Sequence, residues 1–128
     1  MTIIYNGVDL VEIDRFENLN QAIKERFFRR VFTQKERDEA NRSLQRLAGK
    51  FAAKEASAKA LGCGIGIISW QELEILENPQ GKPELFLHGN AVQVAKKAGW
   101  KSWSVSISHT RTLAIAVVTA FGNDISTP

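Results

Sequence analysis

Three residues in this chain have types and spacing suited to chemistry: Asp9, just beyond a run of β-branched and aromatic residues, and the pair Glu55 and Lys59. Glu55 and Lys59 are four apart, so on a helix they share a face, one turn from each other. Taken alone, such a pair reads as a surface ion pair worth about 0.3 kcal/mol, and Asp9 alone reads equally as a turn or capping residue. The reading sharpens if Asp9 packs beside Glu55. Two carboxylates from separate elements, with positions left open for water, suit Mg²⁺, which prefers oxygen ligands and often shares them with a phosphate. A lysine beside them would neutralise negative charge on a transferring phosphoryl group. This is a phosphoryl-transfer site in outline, conditional on a proximity that spacing does not establish. His109, closing a serine-rich segment, is either a polar turn residue or a functional one, and His88, before Gly89, is given no role. The single cysteine, Cys63, excludes an intramolecular disulfide and a thiolate zinc site. It sits between Gly62 and Gly64 with no basic neighbour and reads as an incidental thiol.

The elements that must position these groups are legible in outline. Thr2 to Tyr5 with Val8 suggests a strand that delivers Asp9 near its C-terminal end. From Glu12 to Leu61 the pattern is mostly helical, with a break at Asn18 to Asn20 and a less clear one at Ser43. Thr33 is an N-cap with Glu36 at the capping-box position. Leu44, Leu47, Phe51, Ala58 and Leu61 recur at helical spacing and define a long helix, which Gly62 ends. The loop Gly62-Cys63-Gly64-Ile65-Gly66 matches neither the dinucleotide fingerprint nor the Walker pattern. Beyond it, Leu73, Ile75 and Glu77 form one alternating segment and Leu85 and Leu87 another, joined by a turn over 78–83. Asn90 to Lys97 predicts a short helix ended by Gly99. Trp103, Val105 and Ile107 alternate with serines, and Thr112 to Ala120 forms a second strand of a hairpin turning at His109-Thr110-Arg111. Strand, helices, then strands argue for α+β with a mainly antiparallel sheet and a long central helix. Residues 1–120 form one domain, and 121–128 read as a loose, flexible tail.

With 128 residues, 44% hydrophobic and 24% charged, the chain has the composition of an average globular domain. No apolar run approaches the ~20 residues that span a bilayer, and the first residues lack the features of a secretory signal, so a cytoplasmic protein without a membrane partner is expected. Net charge is only +3, but nine of the 17 Lys and Arg residues lie between Lys24 and Lys50. Such a segment is either an ordinary solvated helical face or a surface for an anionic partner.

At this point the residues match a known family. Gly7-Val8-Asp9, followed by Phe51-Ala52-Ala53-Lys54-Glu55-Ala56-Ser57-Ala58-Lys59, resembles the paired signature of the 4′-phosphopantetheinyl transferases. Longer runs are similar to the small bacterial members that serve acyl carrier proteins: 7–13, 47–56, Gly81-Lys82-Pro83 and Ser106-Ile107-Ser108-His109-Thr110. Any one of these occurs by chance; four in order across nearly the whole chain are specific.

The resemblance implies that fold and an enzyme whose Mg²⁺ is held by Asp9 and Glu55, with catalytic roles for Asp9, Glu55 and Lys59. The 4′-phosphopantetheine arm of coenzyme A would pass to a carrier-protein serine in support of fatty acid biosynthesis, leaving adenosine 3′,5′-bisphosphate. The serine proton has three candidate acceptors: a metal-bound water, Glu55 and Lys59. Coenzyme A contacts would come from Arg46, Gly49, Lys50, Lys59, Gly62, Pro83, His109 and Thr110. Lys50 stands where an arginine is common, so a point charge would replace bidentate phosphate binding. Ala52 stands where the broad superfamily often has Ser or Cys. Arg15 and Arg26 match positions that grip the acidic acyl carrier protein, and complementary charge would speed encounter. Members of this size form homotrimers with active sites in clefts between subunits. Alternatives are the same reaction on a polyketide or peptide-synthesis carrier, a catalytically inactive adaptor, and a basic nucleic-acid-binding module. The last is disfavoured because Phe27, Phe28 and Phe32 are spaced for a buried helical face.

Overall fold

The computed structural model describes residues 1–123. Strand β1 (Thr2–Glu12) is followed by helices α1 (Asp14–Glu17), α2 (Gln21–Val31), α3 (Gln34–Ala40) and α4 (Leu44–Leu61). After a 3₁₀ turn (Trp70–Glu72) come β2 (Leu73–Glu77), β3 (Pro83–Leu87), α5 (Gly89–Ala98), β4 (Trp100–His109) and β5 (Leu113–Asn123). The expected α+β class holds, with every strand pairing antiparallel. The strands divide into a three-stranded sheet of order β1-β5-β4 and a separate β2-β3 pair, bridged where the Trp103 indole donates to the Leu85 carbonyl at 2.9 Å.

Three boundaries differ from the sequence reading. β1 runs through Glu12, where a helical stretch was expected to begin, because Leu10 and Glu12 stay in register with Ile115 and Leu113. Ser43, the less clear break, is the N-cap of α4 and accepts from the Arg46 amide. Residues 121–123 of the expected tail belong to β5 and pair with β1 from Ile4 back to Thr2; residues 124–128 lie outside the described residues.

Helix α4 lies against the inner face of the sheet, and small residues set how closely. Gly49, Ala52, Ala53, Ala56 and Ala60 recur at helical spacing and are buried, opposite Ala114, Ala116, Val118 and Ala120 of β5. The tightest point is Gly7 of β1: a Cβ there would run into the Ala56 carbonyl oxygen and the Ala60 nitrogen. Only a residue without a side chain lets the strand backbone touch the helix backbone. The other side of α4 faces α3 and β2 and holds two buried lysines. Lys54, fully buried, pairs with Glu36 at 2.8 Å and donates to the carbonyls of Trp70 and Leu73 at 2.9 and 2.7 Å. Glu36 also closes the expected capping box with Thr33 and accepts from the Ile75 amide, so it joins α3, α4 and β2. Burial pulls the Lys54 ammonium below its ordinary pKa, against the raising influence of Glu36.

The outer face of the sheet is different. Ile4, Val8 and Leu10 are 64%, 51% and 58% exposed, beside exposed Ile115, Val117 and Phe121. No helix among the described residues is long and apolar enough to cross a membrane.

Gly7→Ala should lower stability by roughly 3 kcal/mol, since an added methyl meets backbone that cannot repack. Thermal unfolding followed by circular dichroism would read this, and an unchanged melting temperature would mean that α4 can lift from the sheet at no cost.

Candidate active site

Asp9 faces inward on β1, two residues after Gly7, on the side of the strand that meets α4. The close strand-to-helix approach therefore brings Asp9 to the exposed edge of α4, where Glu55 and Lys59 stand one turn apart. Lys59 Nζ lies 3.2 Å from Asp9 Oδ1 and donates to the Val8 carbonyl at 3.0 Å. Its side chain remains 56% exposed, so the ammonium bridges the aspartate and solvent. Glu55 is partly buried, and its carboxyl is pushed above the usual range first by that burial and then by the negative charge of Asp9. Lys59 and Arg15 act in the opposite direction. The proximity on which the sequence reading depended is thus present. Four charged groups from β1, α1 and α4 meet at one edge.

The donor set suits a divalent ion. The Asp9 charge disfavours ionisation of Glu55, and a cation beside the two would relieve that repulsion. No group of three or more His, Cys, Asp or Glu side chains able to hold a metal occurs among the described residues. Asp9 and Glu55 would supply two oxygen ligands and leave the remaining positions to water and phosphate, as Mg²⁺ sites commonly do.

A second feature lies at the other end of α4. Arg46, Gly49, Lys50, Pro83 and His109, all expected coenzyme A contacts, line a groove of about 280 Å³ together with Gln45, Glu77, Gly81 and Ile107. Arg46 and Glu55 are separated by roughly 14 Å along the helix axis. Gly49 lets Ile107 approach, since a Cβ there would lie 2.9 Å from the Ile107 methyl. Thr110 caps the hairpin beside the groove: its hydroxyl accepts from the Thr112 and Leu113 amides, and its carbonyl accepts from Gln45. Gly62 stands at the opposite end of α4, near Lys59, as a left-handed cap with φ +75°. Its surroundings are open.

Two expected anion contacts differ in availability. Arg46 pairs with Glu77 at 2.9 Å on a half-exposed surface and can exchange that partner for a phosphate. Lys50 is only 4% exposed, with its ammonium held by Glu39 at 2.5 Å and the Ile75 carbonyl at 2.7 Å. Lys50 thus forms part of the groove wall, with its charge already engaged by Glu39 and the Ile75 carbonyl. Arg15 on α1 and Arg26 on α2 are both exposed. His88, given no role from sequence, contacts Glu74 at 3.0 Å. Burial raises the Cys63 thiol pKa, which suits an inert side chain. Sequence reasoning missed Gln45, Glu77 and Ile107 in the groove; its one usable signal was their position beside motif residues.

A carboxylate pair with a lysine beside it, and a groove at the far end of the same helix, suit a protein that handles a phosphate-linked group. The sequence signature of the 4′-phosphopantetheinyl transferase superfamily matches residues 6–118, and the chain belongs to that family. It is 47% identical over 129 residues to a holo-[acyl-carrier-protein] synthase of Herpetosiphon aurantiacus, covering 93% of this chain and 99% of the relative. The crystal structure of the Helicobacter pylori holo-[acyl-carrier-protein] synthase in complex with coenzyme A superposes with a TM-score of 0.81 at 34% identity, covering 90% of this chain and 98% of that one. The Chronobacterium ammoniagenes synthase–coenzyme A complex gives 0.81 at 32% identity, covering 95% and 99%.

Arg46→Ala and Lys50→Met should separate the two roles. The first should raise KM for the coenzyme A substrate with little change in melting temperature. The second should lower stability by roughly 3 kcal/mol, because Glu39 loses its largely buried partner. Steady-state kinetics and thermal unfolding on both variants check this; a KM effect for Lys50→Met without destabilisation would return Lys50 to the ligand.

Proposed function

We propose that the chain transfers 4′-phosphopantetheine from coenzyme A to a serine of apo acyl carrier protein, giving the holo carrier and adenosine 3′,5′-bisphosphate. The observation that carries this reading is the meeting of Asp9, Glu55 and Lys59, contributed by two elements far apart in sequence. In the proposed reaction the serine oxygen forms a bond to the β-phosphorus while the bond to the bridging oxygen breaks. The adenosine 3′,5′-bisphosphate carries away that oxygen, and the serine proton passes to a base. Asp9 and Glu55 would hold Mg²⁺, which supplies charge stabilisation to the pyrophosphate when bound. Lys59 would donate to a phosphate oxygen by exchanging its Asp9 contact. The Arg46 groove, with Gly49, Pro83, His109 and Thr110, would anchor the nucleotide end, and positioning along α4 contributes by orienting the reacting phosphate.

Arg15 and Arg26, both exposed, would supply a basic surface for the acidic carrier, and Arg15 also lies close enough to Glu55 to influence its ionisation. Carrier docking and chemistry would therefore share an edge. The exposed apolar outer face of the sheet fits burial against further copies of the chain, and we assign it to a homotrimer. The reaction would run in the cytoplasm and support fatty acid biosynthesis.

Asp9→Ala and Glu55→Ala should each abolish turnover with the fold retained. Intact-mass analysis of apo carrier incubated with the enzyme, coenzyme A and Mg²⁺ should show a gain of one phosphopantetheine for the unaltered chain, none for either variant and none in EDTA. Wild-type-like activity in either variant would remove the proposed metal site, and no gain with the unaltered chain would remove the reaction. Arg15→Glu should weaken carrier binding, measured by calorimetry, while coenzyme A binding stays nearly unchanged; loss of coenzyme A binding would place the carrier surface elsewhere.

A further inference from the structure

The basic segment between Lys24 and Lys50 is only partly accounted for by the groove and the carrier surface. A hollow of about 470 Å³ opens between α2, α3 and the first turns of α4, well inside the size range of small-ligand sites. Its apolar wall is Phe28, Leu44 and Leu47, and Lys24, Arg37 and Arg42 face it from three different segments. An adjoining hollow shares Phe28, Arg37 and Arg42 and adds Arg29. The acid on this wall, Glu25, accepts from Gln21 at 3.1 Å. Among the described residues, Lys24, Arg29, Arg37 and Arg42 make no ion pair.

Two details indicate that the cations are held in place for something. Arg37 uses one terminal nitrogen on Gln34 at 3.0 Å, while its Nε is buried from solvent and has no acceptor. The part of the guanidinium that lines the hollow, held in place through Gln34, is the part an incoming oxyanion would reach. Arg42 follows Asn41 in left-handed backbone, with φ +65° and +47°. A long side chain seldom occupies that region, and such outliers concentrate at ligand sites. The residue is thereby set at the mouth of the hollow.

We propose that this hollow binds an oxyanion carried on a short apolar body, with the head group on Arg37, Arg42 and Lys24 and the body against Phe28, Leu44 and Leu47. The chemical class is an alkyl phosphate or an alkyl carboxylate. Either head group suits a guanidinium, and the apolar wall selects against a bare inorganic ion. The site lies at the opposite end of α4 from Glu55 and Lys59 and is separate from the Arg46 groove.

Calorimetry in phosphate-free, low-salt buffer on the full chain provides the test, with hexyl phosphate, hexanoate and inorganic phosphate as probes. Hexyl phosphate or hexanoate should bind saturably and more tightly than inorganic phosphate, and the tighter of the two identifies the head group. Lys24→Gln and Arg42→Asn, the latter a residue that tolerates left-handed backbone, should each weaken binding about tenfold with the melting temperature retained. Arg46→Ala, in the other groove, should leave it unchanged. Absence of saturable binding, equal binding of inorganic phosphate, or binding that survives both Lys24→Gln and Arg42→Asn would overturn the proposal. So would variants that weaken apo carrier binding when the unaltered chain binds none of the probes, which would assign these cations to the carrier surface.

Discussion

The contact between Gly7 and the backbone of α4 is the constraint on which the site depends. Where strand and helix backbones touch, the distance between them is set by covalent geometry and not by adaptable side chains. Asp9 follows Gly7 by two residues and so points from the same face, and Glu55 precedes Ala56 by one. Both acids are therefore placed by the same contact. An alanine-rich inner face on α4 and small residues on β5 extend this close fit along the helix. The cost is a limited amount of apolar area from each small residue. Larger residues such as Phe16, Phe27, Phe51 and Trp70 pack their rings against one another at the helix flank.

The opposite side of α4 is organised by polar contacts. Lys54 and Lys50 each carry a charge into the interior, where an ion pair rarely adds stability over a well-packed apolar replacement. What they add here is register. Lys54 can satisfy its donors only if Glu36, Trp70 and Leu73 are all in place, and Lys50 only if Glu39 and Ile75 are. Because the two lysines are one helical turn apart, they fix both the height and the rotation of α4 relative to α3 and β2. Glu39 also accepts from the Glu77 amide, and Glu77 pairs with Arg46 in the groove. The internal polar layer thus continues into the wall of the groove.

Local chemistry was the most legible part of the sequence. The Thr33–Glu36 capping box, the Gly62 terminus and the hairpin at residues 109–111 follow from short-range rules and stand as expected. The extent of β1 was less clear because Asn6 and Gly7 interrupt its β-favouring run, and that interruption is the helix contact itself. The meeting of Asp9 with Glu55 could not come from spacing, since it rests on a tertiary contact; the family resemblance supplied it. Lys50 and Lys54 were hardest to read. A lysine on a helix looks solvent-facing until its acceptors are known, and those acceptors are mostly backbone carbonyls, which leave no trace in residue identity.

The distribution of unsatisfied groups separates structural charge from charge held for a partner. Lys50 and Lys54 are buried and fully engaged, so their charges are spent within the fold. Asp9, Glu55 and Lys59 sit at an edge where burial and the Asp9 charge together raise the cost of ionising Glu55. The outer sheet face shows the same logic in apolar form: β5 alternates small inward residues with exposed Leu, Ile, Val and Phe, and β1 exposes Ile4, Val8 and Leu10 beside them. A strand that needed only one buried face would carry polar residues on the other. The acidic corner and the apolar face are therefore alike in one respect. Each presents a surface whose free energy falls when a complementary group arrives, and the rigid contact at Gly7 keeps both on the same strand.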